Sequence, residues 1–118
     1  MTIINPPHDF PLERTVPGPI PQASAPTVAA PPPLACDAHC HVFGPASQFP
    51  FSPARTYTPP DSGIHAFQAL QKRIGLERAV FVQASCHGTD NSAMVDAIQR
   101  GNGRYAGVAM VDASITDE

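Results

Sequence analysis

Positive charge is sparse in this chain. Seven lysines and arginines are spread over 118 residues, against ten acids, for a net charge of −3. No basic patch forms, which argues against a nucleic-acid or anionic-lipid surface as the main function. Long apolar runs are missing too, and nothing approaches the ~18 residues of a membrane span. The opening stretch MTIINPPHDFPLERTVPGPI lacks the basic and apolar regions of a secretion signal. Cysteine is scarce and odd in number: Cys36, Cys40 and Cys86. That count argues against a disulfide framework and for a reducing compartment, the cytoplasm by default.

Proline is abundant instead, and unevenly placed. Ten of the 15 prolines fall in residues 1–33. Proline fixes φ and removes a backbone donor, so this segment is expected to be an extended tail, partly polyproline II, unable to pair in a ladder. A ligand for a proline-binding partner is the functional alternative. The expected division is a Pro-rich tail over 1–33 and a structured part over 34–118. A hydrophobic content of 42% over the whole chain allows a core.

Apolar spacing predicts the elements. Residues 34–42 read as a first strand, with Asp37, His39 and His41 on one parity and so on one side. A long loop follows to residue 60, functional or disordered by its length. Ile64, Phe67, Leu70 and Ile74 mark a helix face, capped by Asp61 or Ser62 and stopped by Gly75. Residues 78–83 form a second strand whose unbroken AVFV run implies burial on both faces. Thr89, Asp90 and Asn91 offer caps for a second helix ending at Gly101, and residues 105–111 read as a third buried strand. This order predicts an α/β fold with a parallel sheet. Residues 112–118 have the composition of a helix start, so the chain is expected to end inside a larger α/β fold.

The sharpest chemical signal is Asp37-Ala38-His39-Cys40-His41. Two histidines at i and i+2 on a strand share a face, so their ring nitrogens can converge on one metal ion or one substrate oxygen. A pair of solvated or hydrogen-bonded histidines is the plainer reading. Cys36 and Cys40 should point away from the histidines as buried thiols. At the end of the second strand, polar residues gather from Gln83 to Asn91. In parallel α/β folds that carboxyl end is where ligands bind. Ser85 lacks a G-x-S-x-G context, so it suits binding better than nucleophilic attack. His87 reads equally as a ligand or as a loop hydrogen-bonder, and Asp112 as a helix N-cap before a strand-end ligand.

Together, DAHCHVFGP, FPFSPARTYTPP, LQKRIGLERAVFVQASCHGTDN and GRYAGVAMVD resemble the amidohydrolase-2 family, most of all its 2-pyrone-4,6-dicarboxylate lactonase group. The resemblance spans residues 34–118 and implies the first three βα units of a TIM (β/α)8 barrel. It implies hydrolysis of a lactone, or a related cyclic ester, of a carboxylated small molecule. It makes His39 and His41 the catalytic pair on the first strand, and Tyr57 and Ser85 substrate-binding residues. In metal-dependent members of the family that histidine pair holds a divalent ion such as Zn or Mn; in the pyrone lactonases no metal is needed. The resemblance places the water-activating aspartate, a further histidine and substrate-clamping arginines on later strands. The alternatives are a non-catalytic barrel remnant and a small metal-binding or Pro-rich interaction module.

Overall fold

In a computed structural model of the chain, residues 14–20, 22 and 24–116 are described. The first 13 residues of the expected tail, with 21 and 23, lie outside them, as do Asp117 and Glu118 of the expected helix start. The elements run β1 (Cys36–Cys40), α1 (Ile64–Ile74), β2 (Arg78–Val82), a single 3₁₀ turn (Ser85–His87), α2 (Ser92–Gln99) and β3 (Tyr105–Val108). The three strands form one parallel sheet in the order β1-β2-β3. That is the expected α/β arrangement, because strands joined through a helix must run the same way.

Phe81 is the centre of the core. It is fully buried on the helix-facing side of β2, beside Ala79, and packs against Ile64 and Phe67 of α1 and Met94 of α2. The Phe81 ring meets Phe67 edge-on at 4.9 Å and Tyr105 at 5.3 Å. Aromatic pairs in this geometry add about 0.5–1.5 kcal/mol beyond area burial. The Tyr105 hydroxyl then donates to Gln71 Oε1 at 2.6 Å, tying β3 to α1.

Four sequence expectations change in the fold. First, among the described residues β2 and β3 are covered on one face only: Val80 and Val82 are half-buried, and Val108 is 52% exposed. An apolar run records that a strand can be covered twice, not that both covers are present. Second, α1 is capped by Gly63 without a side-chain bond. Asp61 Oδ1 accepts from the Ala46 amide instead, and both backbone groups of Ser62 pair with Phe43. Third, the loop after β1 is hydrogen-bonded rather than structureless, as described below. Fourth, the proline-rich tail does pair: Thr15 and Thr58 form a parallel bridge. It falls in a short proline-free stretch before Pro17, where the donors are intact. Gly75 stops α1 as expected, with φ at 80° and its amide bonded to the Gln71 carbonyl.

Candidate active site

The carboxyl ends of β1 and β2 carry the chemistry. A bulge separates Asp37 from Cys40 in the pairing of β1 with β2. Across it, the His39 and His41 rings meet edge-on, with centroids 5.1 Å apart. His41 Nδ1 lies 2.8 Å from the Val82 carbonyl. A carbonyl only accepts, so Nδ1 donates this bond, and Nε2 is the ring nitrogen left for a ligand. Asp37 Oδ1 accepts from the His39 amide at 3.1 Å. Both histidines are exposed, and Phe43 sits beside His41 at 6.0 Å.

A second pair forms on the loop side. The Tyr57 phenol sits against the Ser85 hydroxyl and the Cys86 thiol. Burial pushes its pKa above the ordinary tyrosine range, and a hydrogen bond from Ser85 opposes that shift. Burial likewise raises the Cys86 thiol, with the Tyr57 bond opposing. His39 thus meets His41, and Tyr57 meets Ser85; among the described residues no ring contact or hydrogen bond joins the two pairs. Among them also, no group of three or more His, Cys, Asp or Glu could hold a metal ion. The donor set offered here is two imidazoles, short of a metal centre on its own.

The loop is organised by residues whose roles were not assigned from sequence. His87 is the hydrogen-bonder of its two readings. Its Nε2 accepts from the Gly44 amide at 3.1 Å, and its Nδ1 lies 3.3 Å from the Pro50 carbonyl. Both ring nitrogens are taken, and the ring is buried against Phe51. Arg55 donates to Thr58 Oγ1 and the Ser52 carbonyl, and Ser52 in turn donates to the Cys86 carbonyl at 2.7 Å. Gln83 is buried and donates to the Gly88 and Asp90 carbonyls, shaping the turn that carries Ser85. Asn91, expected as a cap, instead clamps the chain beyond β3 through both backbone groups of Met110. Asp90 takes the capping role toward Ser92, and Asp112 bonds Ser114 in the same way. The polar cluster after β2 was visible in sequence; which members faced the backbone was not.

Gly44 shows how tight this loop is. It has φ of +65°, and a Cβ there would come within 2.5 Å of Asp61 Oδ1 and 2.7 Å of the Ala46 amide nitrogen. Gly44→Ala should therefore cost about 1–3 kcal/mol, the range for strain held at such a backbone position. Urea unfolding should show a lower midpoint with an unchanged slope.

The cysteines divide by burial. Cys36 is exposed, contrary to the expectation of a buried thiol, because it sits on the edge strand. Cys40 packs against the core, and its thiol is pushed up to about 12 by burial, then by the Asp37 and Cys36 charges. The folded state thus favours the neutral thiol. Its stabilising contribution is complete below pH 9.0 and is lost as pH rises toward about 12. Unfolding midpoints measured up that range should fall more steeply for the wild type than for Cys40→Ser.

The fold and the site together define a small parallel α/β sheet with a histidine pair at the end of its first strand. The chain belongs to the amidohydrolase family, whose pattern matches residues 36–118. It is 54% identical over 83 residues to a 2-pyrone-4,6-dicarboxylate hydrolase of Comamonas testosteroni, covering 70% of this chain and 27% of that one. It is 47% identical over 85 residues to a 4-sulfomuconolactone hydrolase of Rhizobium radiobacter, covering 72% and 28%. Its backbone is similar to a probable 2-pyrone-4,6-dicarboxylic acid hydrolase of Acinetobacter baumannii solved with citric acid bound. That match has a TM-score of 0.64 and 31% identity, over 70% of this chain and 31% of that one. The chain therefore spans less than a third of the length of these relatives.

Proposed function

We propose that this chain carries the opening segment of a lactone hydrolase acting on a small carboxylated ring such as a pyrone dicarboxylate. Residues 34–118 supply the first three strands and the two helices between them of a (β/α)8 barrel, and residues 1–33 a Pro-rich leading segment. The observation that carries the reading is the His39–His41 ring pair at the carboxyl end of β1. Strand ends on that side of a barrel are where such enzymes hold substrate. The two curated relatives support it, since both are named as hydrolases of acidic lactones.

Water attack on a lactone carbonyl develops negative charge on the carbonyl oxygen. Donors fixed where that charge appears are worth several kcal/mol. His39 and His41 are the groups of this chain for that task. Tyr57 and Ser85 are hydroxyl donors suited to a substrate carboxylate, held in place before substrate arrives. The family's divalent ion, Zn or Mn, would polarise the carbonyl where a member uses one. This chain's two imidazoles would be part of its ligand set only, so the residues here favour no step through it. The partner is thus a small anionic molecule, with no nucleic acid and no membrane, in the cytoplasm. Among the described residues, no helix is long and apolar enough to cross a membrane.

Titration of the 118-residue chain with 2-pyrone-4,6-dicarboxylate, followed by NMR, tests the reading. Saturable shifts should centre on His39, His41, Tyr57 and Ser85. Shifts confined to other residues, or none at millimolar ligand, would refute it.

A further inference from the structure

The proline-rich arm does more than precede the fold. Its Arg14 carbonyl accepts from the Thr58 amide at 2.8 Å, and its Val16 amide donates to the Thr58 carbonyl at 3.3 Å. Both backbone groups of the residue after Tyr57 are therefore held by the arm. Farther along, Gly18 lies against Pro60 so closely that a Cβ would come within 2.9 Å of the proline ring. Arg14 and Val16 border the recess beside Thr56 and Tyr57. The arm from Val16 to Ile20 walls a cavity of about 650 Å³ that is also lined by His41, Phe43 and one side of α1. The arm thus touches both halves of the candidate site: the Tyr57 loop by its backbone, and the cavity beside His41.

We propose that residues 14–20 are a positioning element of the site, holding Tyr57 against Ser85 and closing the side of the cavity that His41 lines. The physical basis is simple. Loop segments with few buried contacts open locally at little cost, and a backbone ladder to a second segment raises that cost. Arg55 bonds Thr58 from within the loop, through its side chain alone. The arm supplies the backbone half of the clamp. Proline suits the rest of the arm, because a chain with few accessible conformations loses little entropy when it lies down. The link to substrate rests on the function proposed above; the clamp itself does not.

The test uses the whole 118-residue chain by NMR, with three variants. Val16→Pro removes the donor to the Thr58 carbonyl. Gly18→Val forces the arm off Pro60. Arg14→Ala keeps the carbonyl and serves as the control. Val16→Pro and Gly18→Val should each speed Thr58 amide exchange by about tenfold or more, as expected when a local clamp opens. In both, the Tyr57 phenol should titrate closer to the ordinary range, while exchange of the Phe81 amide in β2 stays as in the wild type. Arg14→Ala should match the wild type. Unchanged Thr58 exchange in both arm variants would overturn the proposal, and so would equal acceleration of the Thr58 and Phe81 amides, which marks general loosening. The same samples titrated with 2-pyrone-4,6-dicarboxylate separate the two readings. Weaker binding in Val16→Pro, by about tenfold, supports the positioning role, and equal affinity overturns it. A wild type that binds nothing, with Thr58 still protected, counts against the lactone reading alone.

Discussion

Replacing His39 by alanine should lower kcat for 2-pyrone-4,6-dicarboxylate hydrolysis by roughly 10²–10³-fold in the complete enzyme of the proposed reading, the cost of losing one preorganised donor at a developing oxyanion. KM should move little, because the ring's partner is charge that exists only as water attacks. The structure gives a reason to expect the full effect. His39 and His41 are in direct ring contact, and His41 is anchored to the Val82 carbonyl, so neither ring is free to swing into the other's place. Tyr57→Phe should behave differently. It removes one hydroxyl donor of about 0.5–1.5 kcal/mol, more toward a charged partner, and should raise KM with a modest change in kcat. Steady-state kinetics on the two variants separates these routes, and wild-type kinetics in either would remove the role assigned to that residue.

Phe81→Ala should be the most damaging single change to the fold. Phe81 is completely buried and is the residue on which Phe67 of α1 and Tyr105 of β3 converge. Truncating a buried phenylalanine costs about 3–5 kcal/mol, the lost transfer energy plus the cavity it leaves. Whole domains keep only about 5–15 kcal/mol, so a sheet of three strands has little to spare. Denaturant unfolding should show the cooperative transition greatly weakened or gone at 25 °C. Val108→Ala is the contrast: its side chain faces solvent, and the change should stay within about 0.5 kcal/mol. A loss of similar size in both variants would mean that the core is not where the structure puts it.

Local pattern carried much of this fold. The i, i+3, i+4 spacing of Ile64, Phe67, Leu70 and Ile74, closed by Gly75, specified α1, because a helix buries one stripe and must end where the backbone turns left-handed. The apolar runs marked β2 and β3, and their separation by a helix made the sheet parallel. The His39-x-His41 spacing puts two rings on one side of a strand, and they do meet. Which polar groups were already spoken for was not legible. Asp61 and Ser62 have the composition of caps, yet their partners are Ala46 and Phe43, brought close only by the folded loop. His87 reads the same in sequence whether it binds a ligand or pins Gly44, because that choice depends on a residue 43 positions away.

By itself, then, the sequence determined element order, strand direction, the parity of the histidine pair and the family. Each follows from periodicity or from short motifs, which depend on near neighbours in the chain. Tertiary structure alone decided that the Thr15 stretch of the arm pairs with Thr58 and that Tyr57 rests on Ser85 and Cys86. Those outcomes depend on which distant groups arrive within about 3 Å, the range over which a hydrogen bond has its strength. No local pattern of residues encodes that arrival.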